Sequence, residues 1–200
     1  MNVIMITGFL GAGKTSVLLP LAQRIAERNP NVKTSLAIIE NEIGQTGVDD
    51  ATLAGSGSYE VRTLFSGCVC CTLAGEMVTS IRRIAEDLDP LYVVIEPSGV
   101  ADPATLSENI ETGTGLGTRT IAIVDAQRWK RIKVALAMLI PHQLGEADVV
   151  LVNKCDLADA ATLDAIEADV RAYNPTAPIF RICAKEGISS DVLDALIGED

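Results

Sequence analysis

MNVIMITGFLGAGKTS, residues 1–16, reads as three consecutive pieces of one phosphate-binding unit. Val3, Ile4, Met5 and Ile6 form a short apolar run, the pattern of a strand buried on both faces of a parallel sheet. GFLGAGKT, residues 8–15, satisfies G-x-x-x-x-G-K-[ST] at every fixed position. Behind it, Val17, Leu18, Leu21, Ala22, Ile25 and Ala26 recur at helical spacing. Gly8, Gly11 and Gly13 keep Cβ atoms out of the way, so that loop N–H groups, with Ala12 among them, can converge on phosphate oxygens. A helix opening at about Lys14 aims its positive dipole end at the same anion, with Ser16 in its first turn. Lys14 is expected to reach the terminal phosphates, and the Thr15 hydroxyl to bind Mg²⁺. The stretch predicts a nucleoside-triphosphate site.

The 200 residues suit a single domain over 1–200 with a sizeable core, and 48% apolar residues are too many for a disordered chain. The net charge of −11, from 16 Lys and Arg against 27 Asp and Glu, argues against nonspecific binding to nucleic acid or to an anionic membrane. No apolar run approaches the roughly 20 residues of a membrane span. Met1 leads straight into the first strand without a basic leader segment, so a cytoplasmic location is expected. The five cysteines are Cys68, Cys70, Cys71, Cys155 and Cys183. An odd count with three clustered is a poor disulfide framework and points to metal or thiolate chemistry.

Further strands are expected at 34–40, 61–65, 91–95, 120–124, 149–152 and 179–182, which together with 3–6 predict an α/β, P-loop NTPase architecture: a mainly parallel sheet with helices on both faces. Ligands in such sheets sit at the carboxyl ends of the strands. Three polar loops occupy those ends. Residues 41–49 carry Glu42 and Asp49, which either reach Mg²⁺, directly or through water, or remain solvated surface charges. Residues 96–103, EPSGVADP, carry Glu96 and Gly99. Glu96 is expected near Lys14, assisting Mg²⁺ or positioning the attacking water. Asn153-Lys154-Cys155-Asp156 follows the 149–152 strand as Asn-Lys-x-Asp does in many GTPases. Its carboxylate can accept from both N1–H and the exocyclic amino group of guanine, which adenine does not present. Cys183, Ala184 and Lys185 stand where a Ser-Ala-Lys-like guanine loop is expected. GTP and GDP are the expected nucleotides.

Helices are expected at 73–88, where Leu73, Met77, Ile81, Ile84 and Leu88 share one face, after Asp125, and at 189–197. The second carries Arg128, Lys130, Arg131 and Lys133, four of the 16 basic residues, and reads as a solvated face in preference to a docking patch for an acidic partner. His142, the one histidine, falls in a short connection and reads as a surface residue. In an extended segment Cys68 and Cys70 face the same way and could share one ion. Such thiolates favour Zn²⁺, Co²⁺, Ni²⁺ or Cu⁺, with Cys71 and a carboxylate such as Glu42 as further ligands. The bland alternative is three small buried hydrophobic side chains.

GFLGAGKT (8–15), ENEIGQTGVD (40–49), GCVCCT (67–72), EPSGVADP (96–103) and NKCD (153–156), in that order and spacing, resemble the CobW-type GTPases. These metallochaperone-like proteins are cousins of the nickel-insertion GTPases of hydrogenase and urease. The resemblance covers most of the chain, and the Cys-x-Cys-Cys motif is its most specific part. It implies GTP hydrolysis coupled to handling a transition metal at Cys68, Cys70 and Cys71, for a client metalloprotein or corrinoid protein. It also implies that Glu96 replaces the aspartate more usual in that loop of other GTPases. Typical members carry a second, C-terminal domain and often a histidine-rich stretch, whereas this sequence stops at Asp200 with a single histidine. Lys14, Glu96 and Glu42 are the expected catalytic groups. No arginine in the motifs is an obvious catalytic finger, so slow intrinsic turnover is expected, stimulated by a partner or by a nucleotide-dependent homodimer. The competing reading is a regulatory or assembly GTPase that gates cofactor loading of a client without carrying metal. A small-molecule kinase leaves NKCD unexplained.

Overall fold

The computed structural model describes residues 1–40, 59–63 and 73–198. Among the described residues, seven strands make one sheet: β1 (Asn2–Gly8), β2 (Leu36–Glu40), β3 (Tyr59–Thr63), β4 (Tyr92–Glu96), β5 (Thr118–Asp125), β6 (Val149–Asn153) and β7 (Ile179–Arg181). Their order is β3-β2-β4-β1-β5-β6-β7, and every pairing is parallel. A parallel neighbour requires a crossover, and among the described connections helices supply it. They are α1 (Lys14–Arg28), α2 (Leu73–Leu88), α3 (Pro103–Thr114), α4 (Trp129–Ala135), α5 (Ile140–Leu144), α6 (Ala160–Tyr173) and α7 (Ser190–Ile197).

Side chains alternate across the sheet, so each central strand feeds a core on both faces. Ile4 and Ile6 of β1 pack with Leu36, Val94, Ile121 and Leu151 under α1 and α7. Val3 and Met5 face the other way, against Met77 and Ile81 of α2 and Ile110 of α3. Farther along that second face, Val124, Val150 and Val152 meet Trp129, Ile140 and Ile166. The continuous apolar runs of β1, β4 and β6 thus reflect burial on both sides, and the expected doubly covered parallel sheet is the observed one.

All seven expected strands are present, with shifted ends. β3 begins at Tyr59, before the expected 61, and residues 64–65 lie outside the described residues. β5 begins at Thr118, where Thr120 N–H bonds to the Asp148 carboxylate at 2.7 Å. α3 and α6 were not read from the sequence. Each has an aspartate N-cap: Asp102 accepts from Ala104 N–H at 3.2 Å with Pro103 at the helix start, and Asp159 accepts from Thr162 N–H at 2.7 Å. His142 sits within α5, not in a loop, because Pro141 presets the backbone of that helix's first turn.

One buried amide joins three connections on the β6 side. Asn174, 3% exposed, donates to the carbonyls of Leu144 and Ala147, both at 2.8 Å, and accepts from Ala177 N–H at 3.0 Å. Asn174→Ala leaves these buried backbone groups without their partner. It should lower unfolding stability by about 2–3 kcal/mol, seen as a lower denaturant midpoint at unchanged slope.

Candidate nucleotide-binding site

Because β4, β1, β5 and β6 are neighbours, their carboxyl ends set Glu96, Gly8, Asp125 and Asn153 side by side along one edge. In an open α/β sheet that edge receives the ligand. The loop 8–13 leaves β1 there and enters α1 at Gly13. Gly13 has φ 102°, and a Cβ on it would collide with the Asn153 side-chain amide. It is also the N-cap of α1, so no side-chain oxygen competes for the first-turn N–H groups. Those groups and the helix dipole present a positive end toward the edge.

Lys14 opens α1 and is buried at 8% exposure. Its Nζ lies 3.8 Å from Glu96 Oε1, and the Thr15 hydroxyl donates to Glu96 Oε2 at 3.3 Å. The structure thus places Glu96 beside both Lys14 and Thr15. Ser16 is exposed in the same turn. A hydroxyl and a carboxylate so close together are the hard oxygen donors Mg²⁺ prefers, and the two residues fit that ion. The loop after β4 then presses on the phosphate loop itself: a Cβ on Gly99 would lie 2.8 Å from Leu10 N and 3.0 Å from Gly8 O. Only a residue without a side chain permits that approach.

Asn153 ends β6 and is buried. Its Nδ2 donates to Ala12 O at 2.9 Å, while its Oδ1 accepts from Lys154 N–H at 2.8 Å and Ala184 N–H at 3.0 Å. One amide thus ties the phosphate loop to the segment 183–185. Lys154, at φ 63°, turns the chain sharply and donates from Nζ to Gly11 O and to Asp125, both at 2.7 Å. Asp156 follows, exposed, in the short 3₁₀ turn Cys155–Leu157. The Asp156 carboxylate beside the Cys183 thiol pushes the thiol above its ordinary pKa, with burial acting the same way. Lys185 is exposed beside it.

Residues 2–181 match the family model described as CobW/HypB/UreG, nucleotide-binding domain. The chain belongs to this family. Among curated relatives it is 31% identical over 194 residues to zinc chaperone YjiA of Escherichia coli (strain K12), covering 90% of this chain and 57% of that protein. It is 30% identical over 213 residues to zinc chaperone CobW of Sinorhizobium sp, covering 91% and 58%. It is 30% identical over 209 residues to zinc-regulated GTPase metalloprotein activator 1 of Saccharomyces cerevisiae (strain ATCC 204508 / S288c), covering 89% and 47%. The chain spans about half the length of the curated relatives it matches. The crystal structure of hydrogenase maturation factor HypB from Archaeoglobus fulgidus superposes with TM-score 0.69 at 20% identity, over 98% of this chain and 89% of that one. FlhF complexed with GMPPNP/Mg²⁺ superposes with TM-score 0.60 at 13% identity, over 98% and 73%. At those identities the superpositions show the shared P-loop fold.

Within this CobW/HypB/UreG domain, Glu42, Asp49, Cys68, Cys70 and Cys71 lie outside the described residues. Among the described residues no group of three or more His, Cys, Asp or Glu side chains could hold a metal ion, and Cys155 and Cys183 are free thiols. No helix among them is long and apolar enough to cross a membrane. The basic segment after β5 is only partly a solvated face. Lys130 and Arg131 are exposed, but Lys133 pairs with Asp169 at 2.6 Å, and the Trp129 indole N–H donates to the same carboxylate at 2.9 Å. Arg128 turns back onto the phosphate loop.

Sequence reasoning gave no role to Asp125 or Gln143 and placed Arg128 on a solvated helix face. Gln143, 3% exposed in α5, accepts from the Thr7 hydroxyl at 2.5 Å and donates to Ala101 O at 2.6 Å. It links the end of β1 to the loop that carries Glu96 and Gly99. No motif marks it. Asp125 could have been noticed as an acidic residue closing an apolar strand at the ligand-binding edge.

Proposed function

We propose that residues 1–200 act as one GTPase domain of a metallochaperone, binding and hydrolysing GTP and coupling that cycle to carriage of a transition metal, zinc first, for a client metalloprotein. The observation that carries the nucleotide half is the convergence of Lys14, Thr15 and Glu96 at the sheet edge, braced by Asn153 and Lys154 of the guanine-reading segment. Lys14 neutralises charge on the terminal phosphates, and the first-turn N–H groups of α1 hold them. Mg²⁺, when bound, adds charge neutralisation there, and Thr15 and Glu96 are the residues that would hold it. Water attacks the γ-phosphorus, the bridging bond to the β-phosphate breaks, and GDP and phosphate leave. Glu96 either orients that water or helps hold the ion. Glu42 and Asp49 are proposed to approach the phosphates from the loop after β2. Asp156, Cys183, Ala184 and Lys185 select guanine. With no arginine finger in the motifs, turnover is slow until a partner or a second copy stimulates it.

The names of the zinc chaperones YjiA and CobW support zinc as the cargo, and Cys68, Cys70 and Cys71, with Glu42, are the ligands proposed for it. The test is an anaerobic competition titration with Zn²⁺, Co²⁺ and Ni²⁺, run with GDP and with a nonhydrolysable GTP analogue on wild type and on Cys68→Ser/Cys70→Ser. Tight binding that strengthens with the GTP analogue and disappears in the double variant is expected. Weak binding, indifferent to nucleotide and substitution, would remove metal from the cycle. A GTPase that gates cofactor loading of its client would then be the better description.

A further inference from the structure

Three successive carbonyls of the phosphate loop each accept a side-chain hydrogen bond from outside the loop. Leu10 O accepts from Arg128 Nη2 at 2.5 Å, Gly11 O from Lys154 Nζ at 2.7 Å, and Ala12 O from Asn153 Nδ2 at 2.9 Å. In a trans peptide the carbonyl and the following N–H point in opposite directions. Holding Leu10 O and Ala12 O therefore turns the N–H groups of Gly11 and Gly13 away from the braces, while Ala12 N–H closes a turn on Phe9 O at 3.0 Å.

Two of the three braces share one anchor. Asp125, 1% exposed at the end of β5, accepts from Lys154 Nζ at 2.7 Å, from Arg128 Nε at 2.7 Å and from Arg128 N–H at 3.1 Å. Burial pushes the Asp125 carboxyl upward, but the hydrogen bonds from Lys154 and Arg128 outweigh it and hold it below the ordinary carboxylate value. It is an anion throughout the neutral range, and a buried anion keeps its cations close. Arg128 has the forked geometry this needs: one edge meets the carboxylate while Nη2 reaches the loop. Gly11, over which the guanidinium lies, has no side chain in its way; a Cβ there would sit 2.9 Å from Arg128 Nη2.

We infer that Asp125 and Arg128 are positioning residues that pre-organise the phosphate loop, Asp125 by orienting Arg128 and Lys154, and Arg128 by fixing the Leu10 peptide. This rests on the nucleotide-binding reading above and deepens it. Neither residue belongs to the guanine-reading motif, so the clamp acts on the phosphate end of the ligand and raises affinity by ordering the loop before binding.

The test uses the whole chain. Hydrogen exchange of the nucleotide-free protein is measured over the peptide spanning 8–15, in wild type, Arg128→Ala, Arg128→Lys and Asp125→Asn. Each is then titrated with a fluorescent GDP analogue, in competition with GTP and ATP. Arg128→Ala should exchange roughly tenfold faster in that peptide and bind GDP and GTP about tenfold more weakly, a loss of about 1.4 kcal/mol. Its GTP-to-ATP preference should be unchanged, and KM should rise with little change in kcat. Arg128→Lys should recover part of the loss, since an ammonium reaches one partner and lacks the fork. Asp125→Asn should lose more, because both cations lose their anchor. If it does not fold, the Arg128 pair decides. Unchanged exchange over 8–15 in Arg128→Ala would overturn the clamp, as would a loss confined to guanine preference. Wild type that binds no guanine nucleotide would sink the function reading, while the exchange data would still judge the clamp.

Discussion

Lys14→Ala is expected to cut GTP turnover by roughly 10²–10³-fold, the usual cost of removing one preorganised group aimed at developing charge. Lys14 is buried at the mouth of α1, with its ammonium 3.8 Å from Glu96 Oε1. Taking it away removes the cation from a half-buried carboxylate and brings that carboxylate against an incoming polyphosphate, so the electrostatics of the site reverse sign. A water cannot replace it, because its charge and not its volume is what matters here. Turnover should be read as kcat/KM by phosphate release, on variant protein whose thermal midpoint matches wild type. The stem of Lys14 adds little to the core, which Val17, Leu18 and Leu21 already fill. Turnover that survives the substitution would remove the phosphate loop from the chemistry and with it the proposed cycle.

Asp156→Ala should weaken GTP by on the order of 100-fold, the roughly 3 kcal/mol of two hydrogen bonds to a charged acceptor, and leave ATP where it was. The carboxylate is exposed on its 3₁₀ turn beside the Cys183 thiol, so its removal disturbs no buried contact. Asn153 and Lys154 remain in place and continue to brace Ala12 and Gly11. Base selection and phosphate binding should therefore separate in this variant. Competition of GTP and ATP against one fluorescent nucleotide reads the ratio directly. Equal losses for both nucleotides would mean that Asp156 supports the loop instead of reading the base. Asn153→Ala makes the contrast, since it frees Ala12 O and Ala184 N–H together and should weaken both nucleotides.

The sheet, the phosphate loop and the helix that leaves it are legible in the sequence, because each is a local matter. Apolar runs of four or five residues mark strands buried on both sides, and the spacing of Val17, Leu18, Leu21 and Ile25 marks one helical face. Even α3 and α6 had readable starts, in Asp102-Pro103 and in Asp159 with Thr162, which motif reading passed over. The co-location of Lys14, Glu96 and Asn153 was legible too, since all three end or follow strands at the ligand-binding edge. How that edge is held rigid depends on contacts made across the fold. Arg128 reaches a carbonyl 118 residues away, Lys154 one 143 residues away, and Gln143 joins Thr7 to Ala101. These contacts exist because β5 and β6 pack in that order beside β1, an outcome of the whole core's packing. No period or spacing along the chain encodes which buried polar side chain will meet which backbone carbonyl, so a lone aspartate closing a strand and a lone glutamine in a short helix acquire meaning only once the strands are side by side.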